Sequence, residues 1–226
     1  MNAAQPATLV EENARARLKR AALKLFAERG FRNVTTREIA AEAGQKNHGA
    51  VGYYFSSKDN LARELLVDGA IVIETHRNAL LDQHEAEGRA MTVRDLVAAI
   101  VVPSAGLDSE APAGEQYFNR FLSDIGANHP ALVLEALADR WNVGYQRCLT
   151  RLRELMPSMS LAEKNRRFVF LGGYVSAMLA LRETMLADTS RGHPIWQAQS
   201  TLDDIVETAA AILQAPLPGG GDPSSA

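Results

Sequence analysis

Apolar residues recur at three- and four-residue spacing along almost the whole chain, and no run of four to eight residues alternates between apolar and polar. The pattern predicts an all-α protein. A first helix is expected from Glu12 to Glu28, with Leu18, Ala22, Leu25 and Phe26 on one face and a stop at Gly30, a residue suited to a left-handed cap. Thr35-Thr36-Arg37-Glu38 has the form of a capping box, which opens a short helix from Thr36 to Ala43 that Gly44 ends. A third helix is expected from Asn47 to Tyr54. Ser56-Ser57-Lys58-Asp59 supplies another cap and opens a long helix reaching Glu87. Val93–Val102 reads as a helix stopped by Pro103, followed by a Pro/Gly/Ser-rich loop to Gly114. Further helices are expected over Gln116–Ile125, Pro130–Met156, Leu161–Ala187 and Thr201–Gln214.

These elements divide the chain into a flexible start (1–12), a three-helix unit (13–60), a larger helical body (61–215) and a tail of disordered composition, 216–226. Two short helices joined by a glycine-containing turn and preceded by a basic helix fit the helix-turn-helix, which sets its second short helix into a DNA major groove. Ile39, Ala40, Val51, Tyr54 and Phe55 would hold the pair against the first helix. Lys46 can reach phosphate or guanine, Asn47 can pair with an adenine edge, Ala50 can touch a thymine methyl, and Tyr53 can donate to phosphate. A plain three-helix subdomain with a polar turn fits the same pattern.

Charge sharpens this choice. The formal net charge is −3, but residues 1–63 hold eleven lysines and arginines against six acidic residues, and the remainder holds 13 against 21. A basic head on an acidic body points the head alone at a polyanion, although a solvated helix face with surplus arginine has the same composition. The hydrophobic share of 46% is ordinary for a globular protein, and no apolar run approaches the roughly 20 residues of a membrane span. The N-terminus lacks the features of a secretory signal, and with Cys148 as the single cysteine no internal disulfide can form, which fits the cytoplasm. No nucleophile-elbow, P-loop or dinucleotide motif is present, "HEAEG" at His84 lacks a second histidine, and five scattered histidines offer no metal set. A non-enzymatic protein without cofactor is expected.

The segments "AALKLFAERGFRNVTTREIAAEAG" and "GAVGYYFSSKDNL" resemble the tetracycline-repressor (TetR/AcrR) family of transcription regulators, over about Arg15 to Leu66. The resemblance implies an N-terminal DNA-binding unit and a larger all-α domain that dimerises and often binds a small effector. It implies backbone-positioning roles for Arg15, Thr36, Arg37, Tyr53 and Lys58, and base readout by Lys46, Asn47, His48 and Ala50. The turn "GQKNHG" is one residue longer than the commonest family form, and Gly52 stands where many members carry an aromatic phosphate contact, a role Tyr53 would take.

For the body, the resemblance implies that the last two long helices pair with a second copy as a four-helix bundle. Leu171, Val175 and Leu179 would supply one stripe and Leu202, Ile205, Ala209 and Ile212 the other; both stripes would serve equally as internal core. An effector pocket, partly apolar, would have walls from Tyr117, Phe118, Phe121, Trp141, Tyr145, Phe168, Tyr174 and Met178. His76, Arg120, Asn128, His129 and Arg147 are candidate polar handles. The expected function is a repressor that binds a palindromic double-stranded DNA operator as a homodimer and is released by a small molecule. A DNA-binding regulator or architectural protein controlled by a protein partner is the alternative.

Overall fold

The computed structural model describes residues 5–107, 116–138 and 140–217, with side chains described from Ala14 onward. Every regular element among them is helical. The first helix, α1, spans Gln5–Arg29 and so begins seven residues before the expected Glu12, within the stretch expected to be flexible. Gly30 closes it with a positive φ of 80°, and a 3-10 turn over Phe31–Asn33 follows. The capping box at Thr35 and Glu38 forms and starts α2, Thr36–Glu42, which ends at Gly44 with φ 67°.

The next helix, α3, spans Ala50–Phe55 and starts three residues later than expected. The reason is local: Asn47 Oδ1 accepts the Gly49 N–H at 2.9 Å, bending residues 47–49 into a turn rather than a first helical coil. Ser57 then caps α4, Lys58–Ala86, an unbroken helix that crosses the expected 60/61 division.

A second capping box, Thr92 with Asp95, starts α5. This helix spans Val93–Ala105 and runs through Pro103, where the sequence pattern predicted a stop. Proline has no N–H to give the carbonyl four residues back, and an orphan acceptor there normally breaks a helix. Here Arg77 of α4 supplies the missing donor: Nε donates to Ala99 O at 3.0 Å and Nη2 to Ile100 O at 3.3 Å. Part of the expected Pro103–Gly114 loop is therefore helix; residues 108–114 lie outside the described residues, as do 1–4 and 218–226 of the expected flexible ends.

Two helices, α6 (Phe118–Asn128) and α7 (Pro130–Leu137), lead to α8 (Val143–Leu155). The single helix expected over Pro130–Met156 is thus two helices, because Gly144 is drawn onto α4, where its N–H donates to Glu74 Oε2 at 2.5 Å. The last elements are α9 (Leu161–Ala187), the short α10 (Pro194–Gln197) and α11 (Gln199–Gln214).

Two hydrophobic clusters organise the chain. One joins α1, α2, α3 and the first half of α4 to Phe118, Phe121, Ile125 and Leu132 of the body. The other gathers α5, α8, α9 and α11 around Leu96, Leu152, Leu171 and Leu213. The head is therefore packed into the body: Phe26 stacks on Phe121 with centroids 5.7 Å apart, both fully buried, and each such side chain contributes roughly 1.5–3 kcal/mol.

Candidate DNA-reading head and ligand cavity

The head presents part of the predicted set to solvent and keeps part of it inside. Thr36, Arg37, Lys46, Asn47 and His48 are exposed, and Tyr53 is 73% exposed, its ring held edge-on against Tyr54 at 4.9 Å. Thr36 and Arg37 open α2, Lys46, Asn47 and His48 lie in the turn between Gly44 and the start of α3, and Tyr53 lies within α3. Asn47 serves first as the turn that launches α3, since its carbonyl oxygen is engaged by Gly49. Ala50 is only 4% exposed and packs in the head core, which corrects its expected place against a base.

Two predicted phosphate contacts are also structural. Lys58 Nζ lies 4.4 Å from the Phe31 ring centroid and donates to Phe31 O at 2.9 Å and Val34 O at 2.8 Å. Burial holds its pKa below the ordinary lysine value. Arg15 donates to Tyr54 O at 2.8 Å, pairs with Glu64 at 2.5 Å and lies over the Phe55 ring. Arg15 ties α1 to α3 and α4, and Lys58 ties the start of α4 to the turn between α1 and α2.

The head's basic surplus resolves in the same way. Lys19 pairs with Glu64 and Asp68, Lys24 with Glu42, Arg29 with Glu38 and Arg63 with Glu135. Among the described residues, Arg20, Arg32, Arg37 and Lys46 have no acidic partner. Arg32, which the motif pattern did not single out, joins Arg37 as an exposed cation flanking the start of α2.

The body holds a cavity of about 440 Å³ between α4, α5, α6, α7, α8 and α9. Three of the eight expected wall residues line it: Phe118, Trp141 and Tyr145. Phe121 instead fills the head–body cluster and Phe168 the second core under Arg153, while Tyr117, Tyr174 and Met178 do not reach the cavity. None of the five expected handles lines it. His76 and Asn128 are exposed, His129 packs edge-on to Phe31, Arg147 pairs with Asp82 and Glu85 on the surface, and Arg120 sits over Tyr117.

The polar groups that do line the cavity include Glu74, Arg77 and Asn119, all buried. A proline inside an apolar helical run was the sequence signal for Arg77, since it implies an orphan carbonyl in need of a donor. Asn119 Nδ2 donates to Glu183 Oε1 at 2.7 Å and to Ser104 O at 3.0 Å. No cluster of side chains suited to a metal occurs among the described residues. Cys148 is fully buried and desolvation pushes its thiol up to about 11, which removes it as a nucleophile.

Residues 18–65, the helix-turn-helix just described, match the family of bacterial regulatory proteins named for tetR. Over those residues the head is similar to the tetR family. A second match is also local: the HTH-type transcriptional dual regulator CecR of Shigella flexneri is 54% identical over 54 residues, 24% of this chain and 23% of that protein. This chain thus aligns with under a quarter of that relative. Whole-chain likeness to solved structures shows the fold. Superantigen PfiT is 21% identical, with 90% of this chain and 97% of that one covered and a TM-score of 0.52. A transcriptional regulator from Rhodococcus sp. Rha1 is 17% identical, with 88% and 95% covered and a TM-score of 0.50.

Behind the head that matches this family, the expected dimer stripes need correction. Leu171, Val175, Leu179, Ile205 and Ala209 are all buried within one chain's core, and Leu202 and Ile212 are partly so, which leaves these side chains little or nothing to offer a partner. The outer face of α9 is apolar instead: Val169 is 72% and Phe170 51% exposed, and Gly173 and Ala177 continue the stripe one turn at a time. By length and composition α9 passes as a candidate membrane span, but its Glu183 is buried and receives the backbone N–H groups of Asn119 and Arg120, the packing of a core helix.

Proposed function

We propose that this chain is a ligand-responsive transcriptional repressor of the cytoplasm rather than an enzyme. It binds a palindromic operator as a homodimer through the tetR-family head and is released by a small molecule in the body cavity. The observation that carries the reading is the double role of α6. Phe118 and Leu122 line the cavity, while Asp124 of the same helix receives the Phe31 N–H at 2.7 Å and Phe121 stacks on Phe26 of α1. A molecule that shifts α6 from the cavity side must disturb the turn between α1 and α2.

In this mechanism Lys46, His48 and Asn47 face base edges, while Thr36, Arg37, Arg32 and Tyr53 hold phosphates. Two copies are needed to place two reading helices about 34–36 Å apart. The outer α9 face, with Val169, Phe170, Gly173 and Ala177, supports a bundle with its counterpart, since small residues let two helices approach closely. The effector lowers operator affinity by its preference for the incompetent spacing, typically about 1–3 kcal/mol of coupling.

The test begins with sequencing the genomic DNA fragments that the immobilised protein retains. Fluorescence anisotropy on the recovered operator should then show binding by a dimer, and loss of both dimer and binding in Phe170→Glu by sedimentation. A monomer that binds single half-sites with full affinity would sink the dimeric reading.

A further inference from the structure

The cavity's polar lining divides into two sets. The charged members are already engaged. The Arg77 guanidinium donates to Ala99 O and Ile100 O and pairs with Glu74, whose other oxygen holds the Gly144 N–H. Moving Arg77 toward a ligand would reopen the gap in α5 at Pro103, and moving Glu74 would release the start of α8. Also engaged are the neutral Asn119, with Glu183 and Ser104 O, and the Ser104 hydroxyl, with Ile100 O. The second set is neutral and not so engaged. The Tyr145 hydroxyl and the Ser176 hydroxyl line the cavity with no hydrogen bond to any described residue. Asn142 occupies the N-cap position of α8, yet its side chain makes no capping bond there. Burial raises the Tyr145 pKa, which keeps the phenol protonated and able to donate.

Resting on the reading of this cavity as the effector site, we infer that it takes an uncharged, mostly apolar molecule bearing a hydroxyl, carbonyl or N–H group that meets Tyr145, Ser176 or Asn142. The rest of the wall is aliphatic and aromatic, from Leu66, Ile73, Val133 and Leu137 among others. At about 440 Å³ the space accommodates roughly 12–20 non-hydrogen atoms at interior packing density. A charged ligand would enter with no free counter-charge, and an unpaired buried ion is strongly disfavoured.

Two fluorescent probes with one skeleton test this: N-phenyl-1-naphthylamine, which is neutral, and 1-anilinonaphthalene-8-sulfonate, which carries a sulfonate. With the full chain, the neutral probe should brighten saturably at one site per chain, and the sulfonate should bind there at least about tenfold more weakly. Tyr145→Phe should weaken the neutral probe by roughly fivefold, the scale of one lost hydrogen bond. Ser176→Trp, which fills the space, should abolish the signal in a variant whose circular dichroism matches the parent. Equal binding of the sulfonate with loss in Ser176→Trp overturns the inference, as does a neutral probe that fails to bind or is unmoved by both substitutions. Operator anisotropy with the neutral probe present separates the two readings. Binding that leaves DNA affinity unchanged would overturn the effector reading alone.

Discussion

The backbone N–H of Phe31, just past the end of α1, donates to Asp124 Oδ2 of α6 at 2.7 Å. The Gly30 backbone that precedes it lies so close that an added Cβ would sit 3.4 Å from the same carboxylate. Asp124→Ala leaves a partly buried N–H without its acceptor and should lower stability by about 1–2 kcal/mol in urea unfolding. In the same variant the ligand-dependent release of operator should weaken, measured as the ratio of operator Kd with and without ligand. An unchanged ratio would place the coupling elsewhere than α6.

The cations of the head should separate into two classes on substitution. Arg37→Ala removes an exposed charge with no acidic partner among the described residues, so it should flatten the slope of log K against log salt by about 0.9 and leave the unfolding midpoint unchanged. Lys58→Ala strips the donor from Phe31 O and Val34 O and should instead lower stability by about 1–2 kcal/mol. Salt titration of operator binding alongside urea melts distinguishes them. Equal salt effects with no loss of stability would return Lys58 to the DNA surface.

Gly69 of α4 packs directly against α6: a Cβ there would run into the Phe118 ring. Gly69→Ala should therefore destabilise by about 1–3 kcal/mol through overpacking, despite alanine's better helix propensity. Pairing it with Phe118→Leu should recover part of the loss, which a double-mutant cycle in urea would read as a favourable interaction. Additive losses would mean that the ring simply swings aside.

Local signals were legible in the sequence and tertiary ones were not. Thr35 and Glu38 lie three residues apart and each side chain accepts the other's backbone N–H, so their cap needs nothing from the rest of the chain. The continuation of α5 through Pro103 depends on Arg77, and the break before α8 on Glu74; in both cases the partner lies on another helix. Periodicity found which residues of α9 share a face, but the face holding Leu171, Val175 and Leu179 turned inward. The reading head was legible because its turn is set by Gly44 and Asn47 themselves. The cavity was not, because its walls come from six helices and its charged lining serves the backbone.

Three capping carboxylates give the fold an acid sensitivity whose sign is fixed. Glu38 is held below its ordinary value of 4.5 by the Thr35 backbone N–H and then the Thr35 hydroxyl. Asp95 is held below 3.8 by the Thr92 N–H, and Glu163 below 4.5 by the Ser160 hydroxyl and then its N–H. A carboxyl whose folded pKa is depressed contributes stability that is complete above its unfolded pKa and is lost as pH falls through the folded one. The loss should therefore begin below about pH 5 and continue under pH 4. Replacing all three, as Glu38→Gln, Asp95→Asn and Glu163→Gln, keeps a neutral acceptor at each cap but removes the titration. The difference in Tm between parent and triple variant should be largest at pH 7 and shrink toward zero near pH 3. A constant difference across that range would show that the caps act through geometry alone and that the charge contributes nothing.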